Sequence, residues 1–305
     1  MKVILWNIAI FRRFFLKRRA FLSNIFLLFS LIMVVLLPSK PFKSLDTMTN
    51  GNILQFIYIF MPAMIYASMN EDSNENIFKI RKLDKSQLIK IIILSILMIP
   101  ITTFIANVVS CLLNMNNTPD VYYGKTPLWF ILFSVVFIPT ICEETFFRGA
   151  ILHGYQNAGV WKGIITSAFV FGLFHLNLYQ FSYTFVLGVV MAASVHYTQS
   201  ILSSMIIHGV NNLVAVILTL PFTQRYTILN ILRDSSLEEI SVLLPISIMA
   251  MIGVLAILGL LSKDCRAYLP LYEKKEEIVD APFIVITIFS LSYMGLKMFL
   301  ILSMT

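Results

Sequence analysis

The residues able to do chemistry in this chain fall into three groups: Glu143, Glu144 and Arg148; Phe171 and His175; His208 and Asn212. Each group lies in or beside an apolar run, where a charged side chain at mid-membrane costs about 2.5–3.5 kcal/mol on insertion scales. Ionisable groups held there must be paired, wetted or used. Glu144 and Arg148 are four residues apart, share one helical face and can form an ion pair. Glu143 lies about 100° round the same helix and faces something else. One carboxylate is tied down; the other is available.

Depth indicates what Glu143 meets. A helix running from Glu143 through Arg148, Ile151 and Leu152 to Gln156 would turn at Asn157–Gly159 and return as the next helix. Glu143 then stands about 15 residues before the turn and His175 about 17 after it, which puts both about 20–25 Å from the turn at 1.5 Å per residue. An antiparallel hairpin brings them level. His208 and Asn212, four apart, project from one face of their own helix. This inventory suits hydrolysis by an activated water. Glu143 and His175 can hold and deprotonate the water, and His208 and Asn212 can donate to the oxyanion formed at an attacked carbonyl. A dry surround strengthens both effects, and no nucleophilic serine is needed. Phe171 is a packing residue beneath His175. Cys142 adjoins Glu143, but no spacing places a base on its own face, so it reads as a buried free thiol. Two histidines and a glutamate also form a zinc-like set, without the HExxH spacing.

In this order, Glu143-Glu144-x-x-x-Arg148, Phe171-x-x-x-His175 and His208-x-x-x-Asn212 resemble the three motifs of the CAAX protease and bacteriocin-processing family. These are intramembrane endopeptidases, and the pattern is similar to that of the type II CAAX prenyl endopeptidases. The resemblance implies a glutamate-type mechanism, metal-independent and without cofactor. In it Glu143 and His175 activate water, His208 and Asn212 stabilise the oxyanion, and Glu144, Arg148 and Phe171 give structural support. It implies a multi-pass helical core and membrane-associated peptide or lipidated protein substrates: prenylated tails, leader peptides, or bacteriocin and pheromone precursors.

Composition places these residues in a bilayer. The 305 residues are 58% hydrophobic and 13% charged, against about 25% charged in an ordinary globular domain, and the mean hydropathy is +0.83. The net charge of +7 is no nucleic-acid signal, because the basic residues cluster in short loops between apolar runs, as the positive-inside rule describes. Three cysteines give no disulfide framework. The expected fold is an all-α polytopic bundle. Spans long enough to cross lipid are read at about 20–38, 52–69, 88–113, 127–146, 160–177, 181–198, 201–220, 242–261 and 283–303. That makes nine candidates, with eight as a lower bound because a short middle one could be re-entrant. Residues 1–19 read as a basic amphipathic helix on the membrane surface. The run from Ala20 to Leu37 is too long for a signal peptide and reads as a retained span. The chain divides into 1–19, N-terminal helices over 20–120, a motif-bearing core over 121–220 and C-terminal helices over 221–305, all one membrane domain. Loop cations at 70–88 and 262–282 fall on the N-terminal side, which the same rule assigns to the cytoplasm. His153 and His196 sit near span ends and read as interfacial, and Lys297 as snorkelling. Two rivals remain: a secondary transporter using the same residues as a proton relay, against which the lack of repeat symmetry speaks, and a non-catalytic immunity or scaffold protein, against which the full motif set speaks.

Overall fold

Long apolar runs with few turn residues fold as helices, because in lipid each backbone N–H and C=O must bond within its own segment. The computed structural model describes residues 18–37, 41–113, 126–220, 232, 236–265 and 276–303; the amphipathic helix expected over residues 1–19 lies almost wholly outside them. The elements are α1 (Arg19–Leu36), α2 (Thr47–Met69), the short α3 (Asn74–Phe78), α4 (Lys85–Leu112), α5 (Leu128–Ala158), α6 (Val160–Phe174), α7 (Leu178–Thr198), α8 (Ile201–Thr219), α9 (Leu237–Asp264) and α10 (Ala281–Leu302). Among the described residues there is no strand. All nine apolar runs are helices, and eight are long and apolar enough to cross a membrane. The ninth, α6, has only 15 residues, about 22 Å of helix, and falls short of a hydrocarbon core of about 30 Å. The chain is a multi-pass integral membrane protein with an all-α bundle fold.

Sequence sets the helix ends locally. Asp84 caps α4 by accepting from the Gln87 N–H at 2.8 Å, while the Gln87 side chain accepts from the Asp84 N–H at 3.2 Å, a reciprocal pair that satisfies two orphan donors. Asn177 starts α7 by accepting from the Tyr179 N–H. Between α5 and α6 the chain reverses at Gly159, whose φ of +104° is open to glycine and strained for other residues. The reversal falls where the depth argument needs it.

Lipid tails are as apolar as leucine, so helices in a bilayer associate through close packing and polar contacts. Helices α6 and α7 pack along their length as an antiparallel hairpin, and α4 runs as a post against α7, α8 and α9. At Gly188 of α7 an added Cβ would sit 3.1 Å from the Ala168 Cβ and 3.3 Å from Arg148 Nη2. Only glycine lets α7 approach both α6 and the buried arginine of α5. Between helices, Ser247 Oγ donates to the Pro100 carbonyl at 2.9 Å and Asn52 Nδ2 donates to Ser134 Oγ at 2.8 Å.

Helix α5 is one continuous rod of 31 residues that widens into π-helical turns at Phe133–Phe137 and Thr145–Ile151. The first ends just before Pro139, which lacks an N–H and whose ring crowds the carbonyl four residues back. Widened turns of this kind recur at functional sites, and these two bracket Glu143 and Glu144.

His153, near the end of α5 as expected, is only 3% exposed and sits inside a polar chain. A carboxylate only accepts, so His153 Nε2–H donates to Asp72 at 2.9 Å, leaving Nδ1 to accept from the Tyr66 hydroxyl at 2.9 Å. Asp72 also pairs with Arg19 at 2.9 Å.

Candidate active site

The two carboxylates of α5 face different surroundings. Glu144 and Arg148 have fully buried side chains and meet at 3.0 Å, Nη1 to Oε1. The guanidinium lies 4.2 Å over the Phe171 ring, and its Nη2 donates to the Gly188 carbonyl at 3.5 Å. Glu143 keeps 15% of its side chain exposed and lines a cavity of about 650 Å³ together with His175, His208 and Asn212.

His175 stands where α6 stops. Its N–H bonds back to the Gly172 carbonyl, and the next residue, Leu176, is left-handed with φ +50°, a conformation costing roughly 1–2 kcal/mol for a residue with a Cβ. Asn177 begins α7 at once. This tight reversal holds the imidazole at membrane depth. A carbonyl can only accept, so His175 Nδ1–H donates to Phe171 O at 2.9 Å, which leaves Nε2 with a lone pair. Phe171 is 1% exposed, edge-on to His175 at 5.1 Å and to His208 at 6.0 Å between ring centroids. One ring thus spaces both histidines and the arginine.

The partner of His208 was not legible in its spacing. Its Nδ1–H donates to Glu144 Oε1 at 2.7 Å, the same oxygen that takes Arg148. The imidazole is therefore oriented by the buried pair and offers Nε2, which stands 4.0 Å from Glu143 Oε2. No local sequence signal joins residues 64 positions apart.

Asn212 also has a partner the motif did not indicate. Its Nδ2 donates to the Val135 carbonyl at 3.1 Å. Val135 lies four residues before Pro139, so it is the carbonyl that the proline leaves without an α-helical donor. The signal was in the sequence, as a proline inside a membrane helix. Nδ2 has a second hydrogen, and Asn212 lines the cavity. Asn212→Ala is expected to lower stability by about 1–3 kcal/mol, the cost of an unsatisfied acceptor. Pro139→Ala in that background returns an N–H to Val135 and should restore part of the melting temperature, read by circular dichroism in detergent. Absence of any rescue would break the link between the two residues.

Polar side chains not singled out by spacing add to the lining, Thr102, Asn107, Tyr179, Tyr183 and Asn211 among them. Thr102 Oγ1 donates to Asn211 Oδ1 at 3.2 Å, and Asn211 Nδ2 donates to the Ile207 carbonyl at 2.9 Å. Thr102 and Asn107 interrupt an otherwise apolar helix, which was a readable hint. Cys142 is buried and its thiol is free. Among the described residues no three His, Cys, Asp or Glu side chains converge as a metal-ligand set.

No curated protein and no solved structure matches the chain. Residues 125–214 match the family model described as Rce1-like, type II CAAX prenyl endopeptidase, a segment that contains all three motifs and part of the cavity lining, while Thr102 and Asn107 on α4 lie outside it. The motif-bearing core of this chain is thus Rce1-like, consistent with membership of the CAAX protease and bacteriocin-processing family.

Proposed function

We propose that this protein is an intramembrane endopeptidase of the CAAX-processing type, cutting a membrane-associated peptide with a water activated by Glu143 and His175. The observation carrying this reading is that Glu143, His175 and His208 line one cavity at membrane depth while Glu144 and Arg148, fully buried, hold His208 by its Nδ1. In the proposed reaction a water binds between the Glu143 carboxylate and the His175 Nε2 lone pair. Glu143 takes its proton as the oxygen attacks the scissile carbonyl. The resulting oxyanion accepts hydrogen bonds from Nε2–H of His208, in its imidazolium form, and from the second amide hydrogen of Asn212. Collapse of the tetrahedral intermediate breaks the C–N bond, and the proton held by Glu143 passes to the leaving amine. No metal or cofactor takes part.

The cavity suits an extended, weakly polar peptide. Tyr179, Tyr183, Leu187, Val214 and Leu218 line it, and Glu143 is the one carboxylate among the described lining residues. Prenylated tails, leader peptides and bacteriocin or pheromone precursors share this chemistry. With the basic loops in the cytoplasm, the cavity opens toward the other face, since Asn107 and Thr219 lie near the far ends of α4 and α8.

The test is cleavage of a hydrophobic peptide library by the detergent-purified protein, with and without a strong chelator. A discrete product formed equally in both conditions supports the proposal. Chelator-sensitive cleavage would make the histidines metal ligands, and no cleavage of any peptide, with proton-coupled uptake in proteoliposomes instead, would favour a transporter.

A further inference from the structure

A second polar cavity, of about 400 Å³, lies at the opposite end of α6, bordered by part of the basic 70–88 loop. Arg19, Asn76, Lys79, Gln156 and His196 border it, as does the first turn of α6. Lys79 is placed with care. It ends α3 in the left-handed region, φ +48°, its N–H bonds to the Glu75 carbonyl, and its own carbonyl accepts from the N–H groups of Arg81 and Ile201. Its backbone is thus fixed on both sides, and Lys79 borders the cavity. Burial pushes the Lys79 ammonium down to about 8, yet among the described residues no carboxylate pairs with it. Asp72, the acid in this cavity, is engaged by Arg19 and His153. His196 adds a buried Nε2 without a partner.

The first turn of α6 brings further donors. Its cap, Gly159, has no side chain to cover the leading N–H groups, and no acidic residue lies in the turn. Such a turn favours anions, phosphate above all. Trp161 in this turn is 54% exposed, as befits a residue at the headgroup level, where tryptophan is enriched.

We propose that this cavity binds a phosphate group between the Lys79 ammonium, the Arg19 guanidinium and the opening turn of α6. The phosphate is carried by an anionic phospholipid or is free in solution. Its occupant fixes the end of the helix whose other end carries His175, so the site lies about 22 Å of helix from the proposed chemistry and is separate from it.

The full chain in neutral detergent is titrated with phosphatidylglycerol, with phosphatidylcholine and with inorganic phosphate, following bound mass by native mass spectrometry and the unfolding midpoint. Wild type should take up phosphatidylglycerol, inorganic phosphate or both saturably, with a raised midpoint, and phosphatidylcholine weakly. Lys79→Gln should weaken the anion by at least about tenfold, the loss of one charge-assisted hydrogen bond. Lys79→Arg should retain most of the binding, and Lys82→Gln, on the exposed loop nearby, all of it. Uptake of phosphatidylglycerol alone identifies a lipid site, and uptake of inorganic phosphate alone a soluble one. Binding of neither by wild type, or equal binding by wild type and a folded Lys79→Gln, overturns the proposal.

Discussion

Glu143→Gln is expected to abolish peptide cleavage while leaving the protein as abundant and as heat-stable as wild type. Glutamine keeps the shape and one hydrogen-bonding oxygen but cannot accept the water's proton, and a positioned general base contributes about 10²–10⁴ in rate. Stability should hold because Glu143 makes no close ion pair with Arg or Lys: His208 Nε2 stands 4.0 Å away, and part of the side chain is exposed to the cavity. The measurement is product formation from a solubilised peptide, paired with a melting curve on the same preparation. A Gln variant cutting at the wild-type rate would leave the proposed site without its base.

Glu144 should behave in the opposite way. Glu144→Ala leaves the Arg148 guanidinium fully buried without its carboxylate and frees His208 from its anchor. Breaking a buried pair by removing one member costs about 3–5 kcal/mol, a large fraction of the roughly 5–15 kcal/mol that holds a typical protein folded. The variant should be depleted from membranes, and the fraction that folds should be nearly inactive because His208 is no longer aimed at the cavity. Glu144→Gln combined with Arg148→Met removes both charges and should recover part of the abundance but none of the activity. Normal accumulation of Glu144→Ala with activity alone lost would mean that the pair acts in the chemistry and not in the architecture.

Local rules carried much of this. The spans followed from hydropathy, the reversal at Gly159 from a glycine between two apolar runs, and the Glu144–Arg148 pair from a spacing of four. The level placement of Glu143 and His175 needed only helical rise. What escaped were contacts between elements distant in the chain. Glu144 takes His208 as well as Arg148, and a spacing rule cannot see a histidine on another helix. Asn212 looked like a free donor, and one of its hydrogens is spent on the carbonyl that Pro139 exposes. The partners of His153 escaped in the same way: nearness to a span end does not reveal that Tyr66 and Asp72 close over it.

For the endopeptidase proposed above, the early stop of α6 would have a consequence for where a substrate is cut. If α6 starts at one edge of a hydrocarbon layer of about 30 Å and runs along its normal, its length of about 22 Å leaves roughly 8 Å between the reversal at Leu176 and the other edge. An extended peptide advances about 3.3 Å per residue, so that gap admits two or three residues before the reacting carbonyl. In the proposed reaction the helix would thereby act as a depth gauge, the bond selected being set by its distance from the water boundary. A substrate segment must unwind over those few residues to present it, and a stably helical one would pass the site uncut.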